Sequence, residues 1–399
     1  QSNMAMPIDW GVFGAWDSPE CQKILAEVDL PNIRMFMVEK SIAGEPAADV
    51  SGQWKVCRNR EILKWSAVGY FFGRQLHEKL NVPIGLIRSA VGGTPIESWM
   101  SSESLVAVMP ETKPKLEQWA KQAAAFDESA YQKELAAWQE AVAKAKVAGQ
   151  KEPRKPSRVI DNAWRPCSLY NGMIRPLMPY GIRGVIWYQG ESNASKAADY
   201  RVTFPAMIRA WRSEWGQDEF PFLFVQLANF KARQDQPSES AWAELREAQR
   251  LTLSVPKTAM AVAIDIGEAN DIHPKNKQDV GKRLALGALT LAYDQKLVYS
   301  GPIVSAAKAD GGKVRLSFDH VGGGLTVKGG EPLKGFAVAG ADGKYVWAQA
   351  RIDGAEVVVS SDEVAKPTAV RYAWADNPEC NLYNAEGLPA SPFQVDVGQ

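Results

Sequence analysis

Short apolar runs alternate with stretches of helical periodicity through most of this chain, and that alternation restricts its fold more than any other feature. Runs at Ile33–Val38, Val82–Ala90, Gly184–Tyr188, Pro221–Leu227 and Met260–Ile266 read as buried parallel strands. Between them lie Glu61–Leu80, Tyr200–Trp215 and Asn276–Tyr293. In the first of these Ile62, Trp65, Gly69, Phe72, Leu76 and Leu80 share one helical face. Strand and helix in this order predict an α/β layer sandwich around a parallel sheet.

Two segments depart from the pattern. The stretch from about Met109 to Arg158 is rich in Lys, Glu, Gln and Ala. Tyr131, Leu135, Trp138 and Val142 stand there at helical spacing. It predicts an inserted helical hairpin whose amphipathic face packs on the body. After about Leu297 the runs Lys313–Phe318, Tyr345–Ile352 and Glu356–Ser360 are separated by turns such as Asp342-Gly343 and Asp353-Gly354. Asp-Gly between apolar runs is a strong hairpin signal. The 399 residues exceed what one core usually needs. The expected division is a large α/β domain over 1–296 and a small β domain over 297–399.

With 46 basic and 46 acidic side chains the formal net charge is zero, which gives no reason to expect nucleic acid as a partner. No apolar run approaches the roughly 20 residues that span a bilayer, so membrane insertion is not expected. Cys21, Cys57, Cys167 and Cys380 stand far apart with no CxxC pair, so no metal site is expected; free thiols or one disulfide both fit. The chain opens Gln1-Ser2-Asn3-Met4, without an initiator methionine, and reads as trimmed.

Only three histidines are available as a general base. His77 sits late in a helical stretch and reads as structural. His320, in the glycine-rich turn Asp319–Gly324, reads as solvated or as a ligand contact. His273 follows the run Met260–Ile266 through the polar loop Gly267–Ile272 and precedes a helix. Open α/β sheets place active sites in such loops, beyond the carboxyl ends of strands. Asp271, two residues earlier, can orient the imidazole or simply form a capping turn. No GxSxG elbow is present. Ser2 is the candidate nucleophile, against the reading that residues 1–4 are a disordered end. Two further strand ends carry polar and glycine-rich blocks, Ser89–Trp99 with Gly92-Gly93-Thr94 and Ile186–Asn193 with Gly190-Glu191-Ser192-Asn193. Gly93 can present a backbone N–H, and Asn193 an amide, to a developing oxyanion.

Gln1-Ser2-Asn3-Met4, Gly92-Gly93-Thr94, Gly190–Asn193 and Asp271-Ile272-His273-Pro274 together resemble the successive blocks of the SGNH hydrolases, and most closely the sialate O-acetylesterase branch. Leu169–Ile174, Arg371–Ala375, Asn381–Asn384 and Gly387–Phe393 extend the resemblance over nearly the whole chain apart from the insertion. It implies a flavodoxin-like three-layer α/β/α sandwich with a parallel sheet, and a carbohydrate esterase that hydrolyses O-acetyl esters of sialic acid. Ser2 would be the nucleophile, His273 the base and Asp271 the acid. Ser2, Gly93 and Asn193 would form the oxyanion hole. Gln189, Glu191 and Trp99 are the expected substrate contacts, although Trp99, like Trp187 and Tyr188, also suits a core. No cofactor or metal is implied. An acetylated sugar is the implied partner, and a periplasmic or secreted location goes with it. The family places its acid three residues before the histidine, where this chain has Asn270, and carries a strand before the nucleophile, where this chain starts. Acetylxylan or another acetylated carbohydrate would need the same chemistry. A carbohydrate-binding protein without turnover is the alternative of another class.

Overall fold

A computed structural model describes residues 1–15, 17–217 and 219–398. Its first part is mixed α/β. A short helix α1 (Ser2–Ala5) and helix α2 (Pro19–Glu27) lead into strand β1 (Asp29–Val38), which turns back as β2 (Gly52–Arg58). Helix α3 (Ala67–Leu80) crosses to β3 (Ile84–Arg88). Strand β1 pairs antiparallel with β2 and parallel with β3, in the register Ile33 to Ile84 and Met37 to Arg88. The antiparallel β2 is a correction to the all-parallel expectation. Its exposed stretch Gln53-Trp54-Lys55, with polar residues on either side of the tryptophan, gives it no apolar run.

The helix predicted over Glu61–Leu80 is interrupted. Asn59–Lys64 forms a tighter 3₁₀ segment, and the α-helix starts only after Ser66. The Ser66 hydroxyl accepts from Gly69 N at 3.1 Å and donates to the Met4 carbonyl at 2.6 Å. One side chain therefore caps α3 and holds α1 against it.

Helix α4 (Ser102–Val108) precedes the inserted region, which holds α5 (Lys113–Ala124) and α6 (Glu128–Val147). The helices are as expected, but the apolar face of α6 does not lie on the body. Trp138 Nε1 donates to the Pro153 carbonyl at 2.9 Å, Lys155 lies over the Trp138 ring, and Arg158 lies over Tyr131 and pairs with Glu128. The chain's own return segment covers the helix. Ala145 is the one side chain of α6 that is buried.

The parallel strands resume with β4 (Val185–Trp187), helix α7 (Ala197–Trp215), β5 (Phe222–Val225), helix α8 (Ala241–Leu251), β6 (Thr258–Ala261) and helix α9 (Lys277–Leu291). Strand β5 is central to this sheet, parallel to β4 on one side and β6 on the other, and buried along its length. Among the described residues β3 and β4 do not pair, so the parallel strands form two groups rather than one sheet. Between them lies a largely apolar cavity of about 410 Å³, lined by Ile84–Ala90 and Gly184–Tyr188, with Gln1 also in its wall.

Ten further strands follow: β7 (Ile303–Asp310), β8 (Lys313–Asp319), β9 (Leu325–Val327), β10 (Phe336–Ala339), β11 (Tyr345–Trp347), β12 (Gln349–Asp353), β13 (Glu356–Ser360), β14 (Ala369–Tyr372), β15 (Leu382–Asn384) and β16 (Phe393–Asp396). They make the sheets β11-β10-β14-β16 and β12-β13-β8-β7 with a small β15-β9 pair, around their own hydrophobic cluster. The Asp342-Gly343 and Asp353-Gly354 turns join β10 to β11 and β12 to β13. The single run read over Tyr345–Ile352 is two strands in different sheets. Arg246 of α8 ties these strands to the α/β part. Its guanidinium is wholly buried and donates to the carbonyls of Leu227, Ala228, Ala375 and Asp376 at 2.6–2.9 Å. Burial pulls its pKa down to about 9, and four carbonyl partners offset that cost. All four cysteines are free, three of them buried.

Candidate active site

Residues from the starts of α1 and α9 and from the turns after β3, β4 and β6 meet at one place. Gly92 packs directly on Ser2: a Cβ at Gly92 would stand 3.1 Å from Ser2 Cβ, so a side chain there would push the serine away. Gly93 has φ of +70°, a left-handed conformation that favours glycine, and open space where a side chain would be. Ser2 is the first residue of α1, whose amide has no partner within the helix.

The residue after Ser2 connects this corner to the histidine. The Asn3 amide donates to Glu191 Oε1 at 2.6 Å and to the Ile272 carbonyl at 3.0 Å, and its Oδ1 accepts from Lys277 Nζ at 2.7 Å. Lys277 also donates to the Pro274 carbonyl at 2.6 Å. Both neighbours of His273 are thus bonded into the network that holds Asn3. His273 itself is partly exposed and meets the edge of Trp10, with ring centroids 6.1 Å apart and planes at 86°.

Asp271 combines the two roles left open by the sequence. Its Oδ1 accepts from the His273 backbone N at 2.8 Å, the expected turn, and lies 3.5 Å from His273 Nδ1. Its Oδ2 takes Lys275 Nζ at 2.9 Å, which holds its carboxyl below the usual range. The contact to the imidazole is long for a hydrogen bond.

Asn193 is buried and fully oriented. Its Oδ1 accepts from Ile96 N at 2.9 Å and from Gln189 Nε2 at 2.7 Å, and its Nδ2 donates to Glu97 Oε2 at 3.0 Å. One amide N–H is left over for another acceptor.

Two expected substrate contacts are corrected. Trp99 is fully buried, edge-on to Trp187, with its Nε1 on Thr94 Oγ1 at 3.0 Å. It is a core residue with no face open to a sugar. Gln189 is also buried, and its amide protons go to Asn193 and to the Thr94 carbonyl at 3.2 Å. It supports Asn193 from behind. Glu191 is partly exposed, with one carboxylate oxygen held by Asn3.

The other histidines lie elsewhere. His77 Nδ1 bonds the Val82 carbonyl at 2.8 Å at the end of α3. His320 is half-buried, packs edge-on against Tyr299, and burial lowers its pKa. No group of three or more His, Cys, Asp or Glu among the described residues is placed to hold a metal ion.

Two residues of the site escape the sequence reading. Trp10 is 54% exposed beside His273, and nothing in its local sequence marks it. Lys277 carried a signal: it shares a helical face with the buried Val280, Gly281, Leu284 and Ala288, a charge on an apolar stripe.

Known proteins resemble this chain along its length. A family model described as carbohydrate esterase, sialic acid-specific acetylesterase, matches residues 157–290. A sialate O-acetylesterase of Rattus norvegicus is 31% identical, with 100% of this chain and 76% of that protein aligned. The Homo sapiens protein of the same name is 30% identical over 98% of this chain and 73% of its own length. The crystal structure of a carbohydrate acetylesterase from Xanthomonas citri superposes with a TM-score of 0.81 at 41% identity, covering 100% of this chain and 79% of that one.

Proposed function

The chain belongs to the sialic acid-specific acetylesterase family of carbohydrate esterases, and from that premise we propose that it removes O-acetyl groups from sialic acid with Ser2 as nucleophile and His273 as base. The observation that carries the serine mechanism is the Asn3 bridge, which bonds the residue after Ser2 to Ile272 directly and to Pro274 through Lys277, the two neighbours of His273. Ser2 Oγ attacks the acetyl carbonyl while His273 accepts its proton. The oxyanion is held by the N–H groups of Ser2 and Gly93 and by the spare Asn193 amide proton. Each such donor is worth about 3 kcal/mol in the transition state. Collapse expels the sugar oxygen, which takes the proton from His273. Water, deprotonated by His273, then releases acetate and restores Ser2. Asp271 orients the imidazole chiefly by shaping the turn, with a weak direct contact.

Trp10, rather than the buried Trp99, is placed to meet the sugar. An exposed indole beside the base offers an apolar face on which a sugar ring can stack. We read the chain as a flavodoxin-like SGNH sandwich over 1–296 and a β domain over 297–399, with a periplasmic or secreted location. Among the described residues no helix is long and apolar enough to cross a membrane.

Acetate release from 9-O-acetylated sialic acid and from acetylated xylan tests the reading. We expect faster release from the sialic acid, and loss of about 10⁴-fold or more in Ser2→Ala. Activity that survives Ser2→Ala would end the serine mechanism. Preference for xylan would move the substrate to neutral sugars, and no turnover of either would favour a binding protein. Trp10→Ala should raise KM for the sugar ester several-fold and leave p-nitrophenyl acetate unaffected.

A further inference from the structure

Lys277 is fully buried at the start of α9, where an ammonium group loses its hydration. Its surroundings do not form a salt bridge in the usual sense. Nζ has two hydrogen-bond acceptors, Asn3 Oδ1 and the Pro274 carbonyl. It also lies over the Tyr188 ring at 5.6 Å. Both amide hydrogens and the oxygen of Asn3 are engaged in turn, and its orientation follows from its partners. Lys277 can only donate, while the Ile272 carbonyl and the Glu191 carboxylate can only accept, so the amide cannot be flipped. The Asn3–Lys277 pair thus joins the start of α1, the turn after β4 and both sides of the histidine.

We infer that Lys277 is a positioning residue for ester hydrolysis: through Asn3 it fixes the turn bearing Ser2 against the turn bearing His273, with Glu191 closing the same network. This rests on the Ser2–His273 reading. The alternative, a lysine kept only for folding, is unattractive because a buried charge is a poor stabiliser compared with an apolar side chain of similar volume. Two of the amine's hydrogens suffice for the two bonds, so the network survives loss of its proton. Burial favours that loss and brings the pKa down to about 7.

The test is steady-state hydrolysis of p-nitrophenyl acetate, whose leaving group bypasses sugar recognition. In Lys277→Met we expect kcat to fall about 100-fold with KM changed less than about threefold, since misplacement of reacting groups by about 1 Å has such a cost. Glu191→Ala should lose at least about tenfold in kcat. Glu191→Gln, which keeps an oxygen for Asn3, should stay within about threefold of the parent. A folded Lys277→Met with kcat within about threefold of the parent overturns the proposal. If that variant does not fold, the Glu191 pair decides: equal kcat in the Ala and Gln variants overturns it too. Ser2→Ala separates the two ideas. Full activity there removes the nucleophile itself, whereas an inactive Ser2→Ala beside active Lys277 and Glu191 variants removes only the positioning role.

Discussion

Lys275 and Lys277 stand two residues apart on the turn that carries His273, and they face opposite surroundings. Lys275 reaches outward to Asp271 at 2.9 Å, with both side chains more than a third exposed. Lys277 reaches inward to Asn3 and is sealed from water. The outer pair can rearrange and be replaced by solvent at little cost. Lys277 and Asn3 are buried, so solvent does not readily replace a lost partner there and each bond between them constrains position. An active site that must hold Ser2 and His273 in register therefore uses its inner side for geometry and its outer side for adjustment.

The hub of the inner side gives the largest expected effect. Asn3→Ala removes the acceptor of a buried Lys277 and the donor to Glu191 together. We expect a loss of about 1–3 kcal/mol in unfolding free energy, as for a buried donor left without one of its acceptors. Chemical denaturation measures it. A loss below about 1 kcal/mol would mean that the inner side is as replaceable as the outer, and the contrast would fail.

A pH series sharpens the comparison next. Lys277 has a folded pKa of about 7, against a usual value near 10.4. Below pH 7 the folded and unfolded chains both carry the proton, and the folded chain bears the full desolvation penalty. As the pH rises from about 7 to about 10 the folded chain is already neutral, so that penalty disappears. The stability of the parent relative to Lys277→Met should therefore increase across this window. The charged groups around Nζ are Glu191 from the turn after β4, and Asp271, Lys275 and Glu268 from its own turn. A flat difference between parent and variant melting temperatures from pH 7 to 10 would mean that Lys277 titrates normally.

The contrast between the two lysines also marks what could be read in the sequence. The strand ends bearing Gly93, Asn193 and His273 were legible because apolar runs stop sharply and polar blocks follow. The helical insertion was legible too, but not what covers it. The same periodicity serves a helix on the body and one wrapped by its own return segment, and contacts such as the Trp138 bond to Pro153 and the Arg158 pair with Glu128 separate them. Trp99 looked like a sugar platform because residue type cannot report burial. The break at Ser66 was hidden for another reason: the apolar face continues across it, and the capping hydroxyl is held in place by its bond to the Met4 carbonyl, far away in sequence. Lys277 was legible in principle, as a charge in an apolar stripe. What it is buried against was not, since Asn3 lies 274 residues away.

The smallest effects belong to the outer side. Lys275→Ala removes an exposed ion pair, worth at most about 1 kcal/mol and screened by salt, and should change kcat by less than about threefold. Asp271→Asn tests more. The amide oxygen can still accept from the His273 backbone N, so the turn survives, while the charge near Nδ1 is lost. A loss of about tenfold in kcat is expected, well below the roughly 10⁴-fold that follows when a buried, directly bonded acid is replaced by its amide in a triad. That ranking is itself a consequence of exposure, because a carboxylate already engaged by Lys275 and facing water can stabilise an imidazolium only weakly. A loss approaching 10⁴-fold in Asp271→Asn would show that the 3.5 Å contact closes when substrate binds, and would move Asp271 from the adjustable side to the rigid one.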